Sequence, residues 1–501
     1  MLASILESDI ETVVKSSDQV DYFVIGSGTA GVTSALELAA GGFNVVIIES
    51  GPFITANHVG TSPFRSQPEI VPKIHGLVKY DTAWIPDAKF KARDIEPLVT
   101  NNTAWSLVGG RTVFWGGCAP RFIESDFAHW PITYKEFAPY YDEAESMIHV
   151  SGSHPTRPHF IRSDWQLLAM ERLNRAGYKA VHAPVSVDTT TVSNGYISNG
   201  FDSSVARLLR SGKLVTFGEK RGVSLVANTC VVKLEENNGK ISKLHLLRPE
   251  DGSRYEIAPK NVILACGGIQ STRLVMASGL DKDCDAVGHY IGDHLFVQGL
   301  MRLKKPLGLP LYILIQGTNG MPYQVQIQGS FEADWYSPYH STVWLDHQSN
   351  GTNLLFYCFG IATVEKENRV ALLDDTKCKR GGASSYCVVY DHSDADRQLI
   401  KRMMESMPEV AKQLDAELVR IQENPPGSAL HEIGGLRMGT DPNTSVTDVF
   451  GKFWRYKNLY CADSSTWRNQ GAANPYLTIT ANSLRMARKL VAEKRAGLAV
   501  G

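Results

Sequence analysis

The amino-acid sequence predicts an α/β (α+β) fold: a parallel sheet fed by strand–helix–strand units, joined to a second domain built on an antiparallel sheet. Three observations predict it. A glycine-rich strand–helix–strand unit spans residues 21–51, strand-like segments recur between 300 and 392, and a strand near 458–462 leads into a long amphipathic helix.

The first unit is DYFVIGSGTAGVTSALELAAGGFNVVIIESG. Tyr22 to Ile25 is a short apolar run suited to a buried parallel strand, followed by Gly26-x-Gly28-x-x-Gly31, a helical stretch to about Ala40, a Gly41-Gly42 stop and a second strand, Asn44 to Ile48. The unit is Rossmann-like. Gly26 permits the tight turn, Gly28 lets the backbone approach a pyrophosphate, and Gly31 lets the helix pack on the strand. The helix N-terminus offers free N–H groups and a positive dipole end to phosphate. Glu49, 18 residues beyond Gly31, stands where an acid accepts hydrogen bonds from ribose hydroxyls. The pattern specifies one adenine dinucleotide and leaves NAD and FAD open.

Residues 52–105 lack periodicity and read as extended loop with short elements. LVGGRTVFWGGCAPRF, Leu107 to Phe122, carries four glycines in two pairs around Trp115. It reads either as two tight turns flanking a core tryptophan or as backbone laid against a planar ligand. Residues 222–265 alternate as a meander, with Asn237-Asn238-Gly239 as its hairpin turn, and lead into the apolar strand of NVILACGG and the helix QSTRLVMASGL. Leu311 to Gln316, Tyr323 to Gln328, Asn353 to Ala362 and Arg369 to Leu373 suggest an antiparallel sheet, with Thr318-Asn319-Gly320 as a turn, and a helix is expected from about Ser393 to Ile421. Asn458 to Ala462 reads as a strand. Asn474-Pro475 then opens the final helix, with asparagine at the capping position and proline first in the helix.

Composition bounds the function. The chain has 501 residues, 43% apolar and 21% charged, which suits two or three globular domains and excludes wholesale disorder. Lys and Arg number 51 against 52 Asp and Glu, a net charge of −1 that gives no footprint for nucleic acid or an anionic membrane. Eight cysteines lie scattered without a C-x-x-C pair, which argues against a zinc site or a disulfide-stapled fold. The acidic start MLASILESDIETVV lacks signal-peptide character, and no window reaches 18 uncharged apolar residues. A cytoplasmic protein acting on small molecules is expected, with a homo-oligomer open.

The N-terminal fingerprint, the WGG segment, NVILACGGIQSTRLVMASGL and the closing H-x(42)-NP arrangement together resemble the glucose-methanol-choline (GMC) oxidoreductases. GGRTVFWGGCAPRF and HEIGGLRMGTDP are most similar to the pyranose oxidase-like branch, which oxidises ring hydroxyls of sugars. The resemblance implies an FAD-binding domain formed by residues 1–160, 205–300 and 425–501, and a substrate-binding domain formed by 161–204 and 301–424. It implies His431 and Asn474 as the catalytic pair. FAD would be held by Gly26, Gly28, Thr29, Ala30 and Gly31, by Glu49 and Ser50, and by Gly109, Gly110, Thr112, Trp115, Gly116, Gly117, Cys118 and Ala119. Val231, Ala265, Gly267, Asp463, Asn474, Pro475 and Thr478 complete the set, with Val231 reading adenine through its backbone, Asp463 holding the ribityl chain or pyrophosphate, and Thr478 lying along the isoalloxazine. Pyranose oxidases carry a flavin-linked histidine where this sequence has Phe114, so non-covalent FAD is expected.

A neutral imidazole can take a hydroxyl proton near neutral pH, and an asparagine amide can orient the alcohol and steady an alkoxide. The implied reaction is oxidation of a secondary sugar or glycoside hydroxyl, with O2 or a quinone reoxidising the flavin. A non-sugar alcohol, a lyase on the same scaffold, a nicotinamide dehydrogenase and an idle binding module are the alternatives. Phe331 to Trp344 mixes aromatics with Glu332, Asp334 and His340, and suits either a sugar face or a domain edge.

Overall fold

The computed structural model describes residues 7–53, 79–81, 83–90, 103–113, 115–190, 192–193, 196–197, 201–282, 284–306, 311–329, 352–373 and 385–497. Phe114 and the Phe331 to Trp344 segment lie outside them, as does most of 52–102. From the N-terminal side, β1 (Tyr22–Ile25), α1 (Thr29–Ala40) and β2 (Val45–Ile48) match the expected unit within one residue. Helices α2 (Tyr134–Met147) and α3 (Asp164–Arg175), strand β3 (Ala180–His182) and helix α4 (Ser204–Arg210) come next. Strand β4 (Val223–Val226) precedes a meander of β5 (Cys230–Asn237), β6 (Lys240–Leu247) and β7 (Arg254–Ile257). Asn237 pairs with Lys240, and Asn238 and Gly239 have φ of 53° and 73°, the two positive values a type I′ turn requires.

Strand β8 (Val262–Leu264) and helix α5 (Gly268–Ala277) return to the first sheet, and β9 (Leu295–Leu303), β10 (Leu311–Ile315), β11 (Tyr323–Gly329) and β12 (Asn353–Gly360) build the second. Helix α6 (Asp394–Gln413), β13 (Ala416–Glu423), β14 (Leu459–Cys461) and α7 (Tyr476–Arg495) complete the elements that position the site. The first sheet is fully parallel in the order β14-β8-β1-β2-β4. Its strands are buried throughout, as continuous apolar runs such as YFVI and VVII require.

The second sheet is fully antiparallel in the order β13-β9-β12-β11-β10-β3. One face is apolar, carrying Val297, Met301, Ile313, Ile315, Val325, Ile327, Phe356 and Cys358, and α6 lays Leu399, Ile400, Met403, Met407 and Val410 against it. Strand residues alternate between faces, so Gln324, Gln326, Tyr357 and Phe359 point the other way.

Two expectations need correction. The helix expected to reach Ile421 ends at Gln413, because Asp415 turns the chain with φ of 57°. Residues 416–423 then form β13, the edge strand of the antiparallel sheet, where Leu418 and Ile421 pack on its core. Arg369–Leu372 does not join that sheet; it pairs with Tyr386–Val389, which in turn pairs with Trp84–Ile85. Strand β9 pairs with β12 on one side and β13 on the other. Among the described residues no helix is long and apolar enough to cross a membrane.

Candidate active site

At the C-terminal end of β1 the three fingerprint glycines meet different surroundings. A methyl group on Gly26, whose φ is 102°, would lie 2.5 Å from Ala265 O, and one on Gly31 would lie 2.0 Å from Gly26 O. Both positions are closed by backbone. A methyl group on Gly28 would meet nothing within 4 Å, and the same holds at Gly267 and Gly116. These three positions border open space. Gly110 faces Gly28, and Gly109 N donates to Ser27 Oγ at 2.8 Å, so the first glycine pair of the WGG segment closes over the fingerprint. Thr112 Oγ1 braces this turn by donating to Gly109 O at 2.7 Å. Gly117 has φ of 75° and abuts Phe201, Cys118 is buried in a bridge to Val185, and Ala119 N donates to Pro184 O.

The acids at the strand ends are already occupied. Glu49 Oε2 accepts from Ser27 N and Ser27 Oγ at 3.0 and 2.7 Å, and Oε1 accepts from Ser50 Oγ and Gly51 N at 3.1 and 3.0 Å. Burial raises its pKa, and these bonds oppose the rise. Asp463 Oδ2 accepts from Gly267 N and Ser271 Oγ at 2.9 and 2.5 Å, while Oδ1 accepts from Ser465 N and Oγ at 3.0 and 2.6 Å. Asp463 thus ties the start of α5 to the turn after β14. Ala265 N bonds Ile25 O, and Ala30 is buried on α1. Val231 is buried at a register shift in β5, and Thr478 Oγ1 shares a 2.8 Å bond with Tyr141 OH in the interior.

A buried cluster that the sequence reading missed fixes α1. Arg207 on α4 donates through Nη2 to Thr29 Oγ1 at 2.7 Å and through Nη1 to Thr33 Oγ1 at 2.8 Å. Its Nε lies 3.0 Å from Asp202 Oδ2, which also accepts from Tyr476 OH at 2.9 Å. Trp115 stacks on Tyr476 with centroids 3.9 Å apart and donates Nε1 to Asp202 O at 2.7 Å. One arginine therefore locks α1 to the first residue of α7.

The second centre is built around His431. His294 Nε2 lies 2.9 Å from Gly471 O, and His294 Nδ1 lies 2.9 Å from His431 Nδ1. A carbonyl only accepts, so Nε2 of His294 carries its proton. Burial lowers the pKa of His294 to about 3, so the ring is neutral and its Nδ1 holds a lone pair. His431 Nδ1–H must then be the donor. His431 is itself held neutral, its pKa lowered well below 6.5 by burial first, then by His294 and Arg111. The remaining nitrogen, Nε2, therefore presents a free lone pair. The two rings stand edge to face, 5.0 Å apart.

Acids fasten the backbone behind this pair. His431 N donates to Asp293 Oδ1 at 2.9 Å, and burial and then Glu432 raise the Asp293 pKa. Glu432 takes a two-pronged bond from Arg111, at 2.5 and 2.6 Å, and Arg111 Nη1 also reaches Leu430 O at 2.7 Å. Arg111 lies inside the GGRTVF segment, so this segment and the His431 loop are joined by an ion pair.

Asn474 does not cap α7. Pro475 holds helical dihedrals at the helix start, but the Asn474 side chain turns to the antiparallel sheet, where its Oδ1 accepts from Gln324 Nε2 at 2.9 Å and from Gln326 Nε2. The capping expectation fails because two buried amides compete successfully for that oxygen. Gln324 lies directly across from Phe359 on β12, and the Phe359 ring is 5.1 Å from the His431 ring. Side chains opposite one another in an antiparallel pair share a face. His431 and Asn474, 43 positions apart in sequence, thus converge on neighbouring residues of one sheet face. The missed residues left one signal, the alternation YQVQIQG, in which every second residue is a glutamine.

Comparison with known proteins agrees with this architecture. Family models described as GMC oxidoreductase match residues 20–296 and 366–483. The chain is 26% identical to a 2-methyl-1,2-propanediol dehydrogenase of Mycolicibacterium austroafricanum, over 94% of this chain and 95% of that one. It is 23% identical to a C-glycoside 3-oxidase of Microbacterium trichothecenolyticum, over 96% and 98% respectively. Its fold is similar to that of a pyridoxine 4-oxidase from Mesorbium loti, with a TM-score of 0.66 at 16% identity over 94% of this chain and 99% of that one. With a family model matching more than half of its length, the chain belongs to the GMC oxidoreductases and is an FAD-dependent alcohol oxidase or dehydrogenase.

Proposed function

We propose that the protein oxidises a secondary hydroxyl of a sugar or glycoside to a ketone, with His431 as the base and Asn474 as the group that orients the substrate oxygen. The observation that carries this reading is the relay from Gly471 O through His294 to His431, which leaves the His431 Nε2 lone pair free beside the glutamine face.

FAD fits the nucleotide groove. The methyl-sized space left at Gly28 and Gly267 lies at the ends of β1 and β8, and the closed packing at Gly26 and Gly31 brings the N-terminus of α1 up to it. Gly28, Thr29, Gly110 and Gly267 would border its phosphates, and the start of α7 would offer its positive dipole end. When bound, FAD supplies the acceptor for the hydride leaving the carbinol carbon.

The chain's own residues do the rest. His431 Nε2 takes the hydroxyl proton, and the neutral His294 keeps the tautomer in which that nitrogen is free. Asn474 donates from its amide nitrogen to the oxygen as negative charge builds there. The Arg111–Glu432 pair holds the His431 loop, and Phe359 packs against the imidazole. The sequence reading of Phe114 supports non-covalent FAD: acid precipitation should leave all yellow colour in the supernatant, whereas colour retained in the pellet would mean a covalent link.

A branched aliphatic diol is the second reading, favoured by the similarity to the 2-methyl-1,2-propanediol dehydrogenase across nearly the full chain. Anaerobic mixing of the yellow holoenzyme with monosaccharides, glycosides and diols decides between them. Bleaching by sugars or glycosides supports the leading reading, and bleaching by the diol alone overturns it. Reoxidation with air or with quinone then identifies the electron acceptor.

A further inference from the structure

We propose that Gln324 and Gln326 are positioning residues that hold the Asn474 amide oxygen between two donors, so that its NH2 group is the one presented to the substrate oxygen. The inference rests on the role given to Asn474 above and adds what aims it.

Gln324 and Gln326 are 2% and 4% exposed, on the sheet face opposite the apolar core. A buried primary amide is costly unless its donors are used, and both direct Nε2 at Asn474 Oδ1. The far end of the Gln326 amide is held as well. Tyr312 OH, on the neighbouring β10, donates to Gln326 Oε1 at 3.2 Å, which leaves the nitrogen end facing Asn474. Tyr312 to Gln326 to Asn474 is therefore a chain with one polarity. Two donors fill both lone pairs of the Asn474 oxygen, and Nδ2 has no hydrogen-bond partner among the described residues. Had Asn474 capped α7, its oxygen would face the helix backbone instead. The antiparallel sheet, not the helix, decides which end of this amide is offered.

A merely structural tie would tolerate either amide orientation, whereas positioning requires the oxygen inward. Gln326→Glu separates the two. A protonated carboxyl at 326 still donates to Asn474 Oδ1, while an ionised one can only accept, and so turns the Asn474 amide round. Tyr312 and Cys118, the neighbouring titratable groups, are both raised by burial, Cys118 to about 12, and His431 and His294 are both lowered; Asp293, raised to about 8 by burial and Glu432, titrates in wild type and variant alike and cancels in their ratio. A transition between pH 5.5 and 8.5 confined to the variant thus belongs to residue 326.

The test measures, for wild-type and Gln326→Glu holoenzyme across that range, the rate of anaerobic flavin bleaching and the affinity for cyclohexanone, followed by the perturbation of flavin absorbance. A ketone can only accept hydrogen bonds, and its binding needs no turnover. The expected result is a variant-to-wild-type bleaching ratio that falls by about 10²-fold as pH rises, the scale of one lost oxyanion donor, with ketone binding weakening in the same direction. A ratio and an affinity that stay flat with pH would overturn the proposal. Wild-type bleaching reports separately on the functional reading, and ketone affinity reports on the clamp even if that reading fails. Should Gln326→Glu not fold, Tyr312→Phe frees the Gln326 amide to turn. It is expected to weaken ketone binding several-fold without pH dependence, and unchanged binding would contradict the clamp.

Discussion

The two centres of this protein are built from different parts of the chain. The groove at the glycine fingerprint is a backbone structure: Gly26 and Gly31 are closed by main-chain oxygens, Gly28 stands open, and the nearby acids Glu49 and Asp463 already accept four and five bonds from protein donors. The His431 centre is a side-chain structure, assembled from residues 111, 294, 324, 326, 359, 431 and 474. A backbone site tolerates no added atom where chains cross, while a side-chain site depends on the direction of each proton.

The sharpest way to break the comparison is Gly31→Ala. Its methyl group would collide with Gly26 O at 2.0 Å, so the variant is expected to lose bound flavin and soluble expression together. Gly28→Ala is the control, since its methyl enters open space: the purified protein should keep its wild-type melting temperature without flavin, yet recover little flavin on reconstitution. Equal behaviour of the two variants would erase the distinction between closed and open glycines.

On the side-chain centre, His294→Leu removes the acceptor for His431 Nδ1–H and frees the tautomer. Flavin bleaching at pH 7.5 should slow by about 10-fold, less than the about 10²–10⁴-fold carried by a general base itself. Wild-type bleaching, in contrast, should hold its rate down to below pH 6.5, because a base with a lowered pKa stays neutral there and loses activity only as pH falls through that value. An acid limb centred above 6.5 would contradict the buried, neutral His431.

The smallest expected effect concerns stability. His294 and His431 stay neutral when folded, while the unfolded chain protonates them below about pH 6.5. Stability then falls as pH drops through that range, by up to about 1.4 kcal/mol per pH unit for each group. His294→Leu lacks one of these groups, so its melting temperature should fall less steeply between pH 6.5 and 5.5 than that of the wild type.

The same contrast explains what could be read in advance. The fingerprint was legible because a glycine is demanded wherever backbone must cross backbone, and β1, α1 and β2 lie within one residue of their expected bounds. The parallel strand at 262–264 and the final helix followed from apolar runs and periodicity. His431 and Asn474 were found through family resemblance, since a histidine or an asparagine alone says nothing of its partners. The relay through His294 and the glutamine donors stayed hidden because they are joined across 137 and 150 positions of sequence. The alternation of glutamines with Tyr323, Val325 and Ile327 reads as a strand with a polar face; that the face is buried is seen only in the structure. The helix expected to run to Ile421 failed at Asp415, whose positive φ carries no strong local signal in a non-glycine residue.

The central claim is that the free nitrogen of His431 removes the substrate proton. Its most direct test is the anaerobic bleaching rate of His431→Ala, prepared with a full complement of flavin, against the alcohol that bleaches the wild type fastest. A fall of about 10²–10⁴-fold with flavin still bound is the predicted result; bleaching at the wild-type rate would contradict it.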